Sequence, residues 1–362
     1  MKIKEITMLN FRLYEYAQFR FSDKVNIIVG NNGQGKTTVL EAIALFALGK
    51  SMRAKYDKEM IKFEQINAQL RLNLSNGDRK ENLAIIVTEK GKQISVNKIK
   101  KGSLSDLIGK FQMVMFTPDD LTIIKNGPDV RRKFLNQYMA QLSSDYIDEL
   151  KQYKHLLLQR NLLLKQRLNN AISIWDESLS KIGAKIVYRR QQFIQQIQNL
   201  IQNRYFEISA SQEILSIHYK ASIQGLTIDD LANHLSDDLA KNLIKDKEKG
   251  YTSVGPHRDD LEISINNISA SRFASQGQIR TAVLAMKIAL IDHFYNINHN
   301  YPVLLLDDVL SELDIYRRQA LISLIMKTQT IMTVATQQDH GEMMNTAERV
   351  LEVSHGIIKN IK

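Results

Sequence analysis

The chain has 362 residues, 44% hydrophobic and 24% charged, the balance of a globular protein long enough for two or three buried domains. It has no cysteine, which excludes disulfides, thiolate zinc sites and cysteine nucleophiles and fits a reducing, cytoplasmic compartment. The excess of 49 Lys and Arg over 39 Asp and Glu favours a polyanionic partner, nucleic acid first, and no apolar run approaches the ~20 residues of a membrane span.

The amino terminus alternates charged and apolar residues without a signal-peptide core, and Ile3 to Leu13 reads as part of a strand pair. Val25 to Val29 is short and apolar enough for a buried strand. It runs directly into Gly30-Asn31-Asn32-Gly33-Gln34-Gly35-Lys36-Thr37, which matches G-x-x-x-x-G-K-[ST] at every fixed position. Behind it, Leu40, Ile43, Ala44 and Ala47 recur at i, i+3, i+4 and i+7, so Thr38 to Gly49 reads as a helix. The glycines let backbone N–H groups turn inward on a phosphate chain, and the helix N-terminus adds its positive end. Lys36 is expected to reach the β- and γ-phosphates, the Thr37 hydroxyl to hold Mg²⁺, and Thr38 to complete the loop. The chain is expected to bind a nucleoside triphosphate.

Ala68 to Leu74 and Leu83 to Thr88 alternate like strands around the turn Asn76-Gly77-Asp78, and Met113 to Phe116 is a further short strand before Pro118. From about Asp119 the texture changes. Between Asp129 and Gln212 there is no proline and only Gly183, while Leu150, Tyr153, Leu157, Leu164, Ile182, Ile186, Phe193, Ile197 and Ile201 fall at helical spacing. Two or three long helices are expected, an arm too short for a long coiled coil. Asp229 to Gly250 is polar with short helices, and Val254-Gly255-Pro256 breaks the pattern. A strand at Leu261–Ile265, a helix from Ser275 to about Tyr295, a buried strand at Val303–Leu306, a helix at Ile315–Lys327 and a strand at Ile331–Val334 follow. The fold class is α/β: a domain split into halves 1–117 and 251–362 by a helical insertion, 118–250.

Val303-Leu304-Leu305-Leu306-Asp307-Asp308 brings carboxylates to the carboxyl end of a strand, where ligands bind in α/β sheets. Asp307 is expected to hold Mg²⁺ and Asp308 to orient or deprotonate the attacking water. The long separation from the glycine-rich loop sets the chain apart from small kinases and GTPases. The eight histidines are scattered without metal-ligand spacing, so no metal beyond nucleotide-bound Mg²⁺ is expected; His257, beside Arg258 and Asp259, has the only notable neighbourhood.

Phe273-Ala274-Ser275-Gln276-Gly277-Gln278 opens a helix before the Asp307 strand, and Ser311-Glu312-Leu313-Asp314 follows it. Glycine-rich loop, S-x-G-Q, apolar-Asp-Asp and S-x-L-D stand in the order of the ABC-type ATPases. With Asn10-Phe11-Arg12, Arg131-Arg132-Lys133-Phe134-Leu135, Gln159-Arg160-Asn161 and Gly255-Pro256-His257-Arg258-Asp259-Asp260-Leu261, the chain resembles the RecF family over essentially its whole length. These are bacterial recombination mediators related to SMC proteins.

The resemblance implies an ABC-type P-loop ATPase head with a mixed sheet, split by a helical arm, and working as an ATP-dependent homodimer. Ser275, Gln276, Gly277 and Gln278 would meet the nucleotide of the partner copy, Ser311 and Asp314 would form the dimer loop, and Arg12 would lie near the phosphates. It further implies a DNA-binding protein of repair, replication and the SOS response, acting at gaps or junctions with RecO and RecR to load RecA. Many ABC-type ATPases carry glutamate at the position of Asp308; the shorter aspartate suits slow, DNA-stimulated hydrolysis used as a timer.

Two departures stand out. Thr333-Val334-Ala335-Thr336 offers hydroxyls where a histidine is common, and Gln112 is the candidate for the glutamine loop. For DNA, the insertion carries Lys151, Lys154, Arg160, Lys165, Arg167, Lys181, Lys185, Arg189, Arg190 and Arg204, and Arg53, Lys55 and Lys58 follow the loop helix. Such cations predict salt-dependent binding without sequence preference. A transporter's nucleotide-binding subunit fits the helical insertion and basic balance poorly. A P-loop nuclease or kinase lacks support from any further carboxylate cluster.

Overall fold

Strands of alternating apolar residues and strands of near-continuous apolar residues sort into two different sheets of one unit, and a third, smaller sheet lies in the other. The computed structural model describes residues 1–166, 172–209, 213–310, 313–335, 345–354 and 356–362. They form two compact units, 1–120 with 286–362, and 121–285. Arg167, Ser311, Glu312 and Thr336 lie outside the described residues.

In the first unit the strands β1 (Lys2–Phe11), β2 (Tyr14–Arg20) and β3 (Val25–Val29) precede helix α1 (Lys36–Leu48). After it come β4 (Asn67–Asn76), β5 (Arg79–Thr88), β6 (Gly91–Val96), β7 (Ile99–Lys101) and β8 (Met113–Phe116). An antiparallel sheet of order β2-β1-β4-β5-β6-β7 buries one face and leaves the other polar, as its alternation requires. The β6–β7 hairpin went unforeseen because its turn, Asn97-Lys98, takes positive φ (51° and 68°) at both residues without a glycine.

In the second unit, α2 (Thr122–Lys125), α3 (Pro128–Leu142), α4 (Ser144–Gln166) and α5 (Ile172–Ser209) come first. Strand β9 (Leu215–Lys220), α6 (Ile228–Lys241), α7 (Leu243–Lys249), β10 (Asp260–Ile265), β11 (Ile268–Ser269) and α8 (Ala270–Phe273) follow. Three long helices fill the stretch where two or three were expected. The insertion is not purely helical, however. β9 pairs antiparallel with β10 in the three-stranded sheet β11-β10-β9, in a register running from Asp260 opposite Lys220 to Ile265 opposite Leu215. Residues 251–285, assigned from sequence to the head, therefore pack in the second unit, because the partner of β10 lies inside the insertion.

Helix α9 (Gln276–Asn298) carries the chain back to the first unit. Its Lys287, buried, pairs with Asp120 and donates to the Met115 carbonyl at the end of β8. The last elements are β12 (Val303–Asp307), α10 (Ile315–Ile325), β13 (Thr330–Val334), β14 (Arg349–Ser354) and β15 (Ile357–Asn360). They complete a mixed sheet of order β15-β14-β3-β13-β12-β8, parallel except for β15. β3 and β13 are buried at every residue. Burial on both faces matches the near-continuous apolar runs that mark β3, β8, β12 and β13 in the sequence, whereas β14 and β15 went unforeseen. α1 touches β4 of one sheet and β8, β12 and β13 of the other, which explains why it is apolar all round.

Candidate nucleotide site

The loop between β3 and α1 has its shape because three glycines permit it. Gly33 and Gly35 take φ of 81° and 102°, left-handed values that a Cβ disfavours. Gly30 has no such φ, but a Cβ there would collide with the Val353 carbonyl of β14. Tyr14, buried, donates its hydroxyl to the Gly35 carbonyl at 3.2 Å and backs the loop from β2.

Lys36 is only 6% exposed, and its ammonium donates to the carbonyls of Gly30 and, at 3.0 Å, Asn31. Burial lowers its pKa, opposed by the carboxylates of Asp308 and Asp307. An ammonium has three donors, so one remains for a phosphate oxygen once two serve the loop.

Across the sheet, the Thr37 hydroxyl donates to Asp307 Oδ1 at 2.8 Å. Thr333, on the neighbouring β13, donates its own hydroxyl to the same oxygen at 2.9 Å and accepts from the Asp308 N–H at 3.1 Å. Asp308 has φ 52°, left-handed backbone that turns the second carboxylate away from the strand direction. Thr333 was read from sequence only as a hydroxyl where a histidine is common; it is the post that fixes both acids.

A cleft of about 210 Å³ opens here, lined by Leu13, Asn32, Gly33, Gly35, Lys36, Thr37, Thr38, Arg53, Asp307 and Asp308. Arg53, expected to face DNA, lines this cleft instead. Arg12 does not line it. Its guanidinium grips the buried Glu41 at 2.7 and 3.2 Å and the Glu59 carbonyl at 2.7 Å, so it braces α1 and the segment after it. Gln112 does not reach the cleft either. It precedes β8, whereas β12 runs parallel to β8 and delivers Asp307 at the far end, five residues or about 16 Å along the strand direction.

The donor set fits a magnesium nucleotide. Loop amides and Lys36 suit phosphate, and the oxygens of Thr37 and Asp307 suit a hard cation. Among the described residues no cluster of three or more His, Asp or Glu could hold a metal alone, so such an ion would need nucleotide oxygens to complete its shell.

Ser275, Gln276, Gly277 and Gln278 lie in the second unit at the start of α9. Ser275 and Gln276 are exposed. The Ser275 Oγ accepts from the Gln278 N–H at 3.2 Å, and Gln278 Oε1 accepts from the Ser275 N–H at 2.8 Å, a capping box. The Gln278 amide also donates to Glu213 at 2.7 Å. Asp314 caps α10, accepting from the Arg317 N–H at 3.0 Å.

The arm cations divide sharply. Arg160 is wholly buried, bonded to Asp176 at 2.5 Å and to Asp246 at 2.7 Å, with Thr252 at 3.0 Å. Arg190, 2% exposed, donates to the Tyr146 hydroxyl at 3.0 Å and the Pro256 carbonyl at 2.8 Å. Neither can contact DNA: both are consumed in the interior of the unit. Arg189 is partly exposed but paired with Glu149 at 2.8 Å. Lys55 stays exposed beside the Tyr56 ring.

Residues 2–359 match the RecF/RecN/SMC N terminal domain family. The chain is 40% identical over its full length, and that of its relative, to the DNA replication and repair protein RecF of Clostridium botulinum (strain ATCC 19397 / Type A). Two solved structures of the recombination mediator protein RecF in the RecFOR pathway superpose closely. The one described with ATP has a TM-score of 0.92 at 31% identity, covering 100% of this chain and 98% of that one. The one described with ATPrS has a TM-score of 0.91 at 32% identity, covering 99% and 98%.

Proposed function

The chain belongs to the RecF family of ABC-type, SMC-related ATPases, and from that premise we propose that it is an ATP-dependent DNA-binding switch of recombinational repair and replication. The supporting observation is the junction of Thr37 with Asp307, two residues 270 positions apart that share a 2.8 Å hydrogen bond at the mouth of one cleft. A loop threonine and a strand-end aspartate so joined form a ready seat for a nucleotide-bound magnesium ion.

When bound, magnesium ATP supplies the phosphoryl group whose transfer to water ends the clamped state. Lys36 and the loop amides hold the phosphates, and Thr37 and Asp307 hold the ion. Asp308 orients the attacking water, and Arg53 offers a further cation from the cleft wall. Ser275 to Gln278 of a second copy close over the nucleotide, with Ser311 and Asp314 at the dimer contact. ATP binding thus makes the dimer, the dimer holds DNA at gaps or junctions, and slow, DNA-stimulated hydrolysis releases it. RecO- and RecR-type mediators and RecA loading follow from kinship with the RecFOR proteins, as does a cytoplasmic setting.

Light scattering of the full chain without nucleotide, with ATP and magnesium, and with added gapped DNA tests this. Mass is expected to double with ATP and rise again with DNA. An unchanged mass in all three conditions, or a Lys36→Ala protein that dimerises like the parent, overturns it.

A further inference from the structure

Arg160 reaches no DNA itself, yet the network around it presents a side chain that can. The chain leaves α7 through Gly250, whose φ of 70° lets the Gly250 and Tyr251 N–H groups both bond back to the Asp246 carbonyl, at 2.8 and 3.2 Å. The next two residues are pinned as well. Thr252 donates its N–H to Asn161 at 2.8 Å, and Ser253 donates to the buried Asp246 carboxylate at 3.0 Å. That carboxylate is the one held by Arg160. Tyr251 therefore projects from a backbone fixed on both sides, and it remains 40% exposed.

Two cations lie over its ring, the Arg258 guanidinium at 4.9 Å from the centroid and the Lys249 ammonium at 5.9 Å. Arg258 is held in place by two bonds to the Thr252 carbonyl, at 3.1 and 3.3 Å. Lys249 is exposed and at the outer limit of the contact, so it is free to swing away. Lys165 passes within 3.4 Å of the position a Cβ on Gly250 would occupy, and Lys245 is exposed on the same short helix. Glu248 is the exposed acid on that helix; Asp246 is spent in the interior.

An aromatic face fixed in place, a pinned guanidinium and displaceable lysines are the parts of a stacking platform for an unpaired base. The ring and Arg258 offer planes, and the lysines meet the adjoining phosphates. Bases in a duplex are already stacked on their neighbours and cannot use such a platform. We propose that Tyr251, flanked by Arg258 and Lys249, is a site for an unpaired nucleotide of single-stranded DNA, and that it selects DNA with a single-stranded portion over plain duplex. This rests on the DNA-binding function proposed above.

The test uses the full chain in saturating ATP with two probes: a duplex with a single-stranded tail carrying 2-aminopurine beside the junction, and the same duplex blunt. Tyr251→Ala is expected to weaken binding of the tailed probe about tenfold, to abolish its fluorescence change, and to leave the blunt duplex within about twofold. Tyr251→Phe is expected to behave as the parent. A Tyr251→Trp protein, read against the single native Trp175, is expected to show quenching by the tailed probe, a measurement that stands even if the alanine variant folds poorly. Equal loss on both probes, no loss on either, or no quenching of the new tryptophan overturns the site. Failure of the parent protein to bind either probe overturns the DNA-binding function itself.

Discussion

The nucleotide cleft and the arginine network of the second unit both organise loops around a cation, in opposite ways. Lys36 is held by carbonyls of its own loop, five and six residues back, and keeps a donor for a ligand. Arg160 takes Asp176 from α5 and Asp246 from α7, and keeps nothing for solvent. The first cation is positioned but only partly neutralised, so it can bind. The second is neutralised in full, so it can only support. Availability, rather than number, decides what a basic residue contributes to a polyanion site.

The contrast breaks most visibly at Arg160. Arg160→Ala strands a buried carboxylate at Asp246 and is expected to destabilise the second unit by about 3–5 kcal/mol, read as a lower urea midpoint. Adding Asp246→Ala is expected to recover part of that loss. A single variant with an unchanged midpoint would mean that the network is not what holds the unit.

At the cleft the expected loss is catalytic. Lys36→Ala and Asp308→Asn should each reduce ATP turnover about 100-fold or more while the urea midpoint stays near that of the parent. Turnover by Asp308→Asn at the parental rate would remove Asp308 from its role. Thr333→Val takes a donor from Asp307 and an acceptor from Asp308. About a tenfold loss in turnover is expected, sharper at low magnesium, and steady-state kinetics across a magnesium titration would reveal it.

The smallest effect is in acid. His257 bonds the Tyr153 hydroxyl at 2.7 Å and the Thr252 carbonyl at 3.1 Å, and burial holds its pKa down to about 4. The folded imidazole stays neutral while the unfolded one takes a proton below about 6.5. Its contribution is therefore fully present above about 6.5 and is lost as pH falls toward 4. His257→Gln should flatten this part of the profile of melting temperature against pH; a slope as steep as the parent's would assign the acid sensitivity elsewhere.

What was legible in the sequence follows the same division. The glycine-rich loop, α1 and β12 are contiguous patterns whose chemistry is carried by neighbours in the chain, and they stand where spacing put them. The roles of Arg160 and Arg190 depend on partners far along the chain, and charge alone misled; Arg12, set near the phosphates by resemblance, is taken instead by Glu41 and Glu59. Composition places a cation in a region but does not distinguish a solvent-facing guanidinium from one enclosed by two carboxylates. β9 was hidden for a related reason. A short strand following a long helix, with its partner more than forty residues on, offers little local periodicity beyond Leu215, Ile217 and Tyr219.

One arrangement also constrains how the protein is made. β3, which launches the glycine-rich loop, lies between β13 and β14, and the loop's first glycine rests against Val353. A ribosome delivers the loop long before either of its flanking strands. The nascent chain must therefore carry this strand, apolar except for Asn26, without its sheet neighbours until β13 and β14 emerge, and only then is the loop braced from both sides.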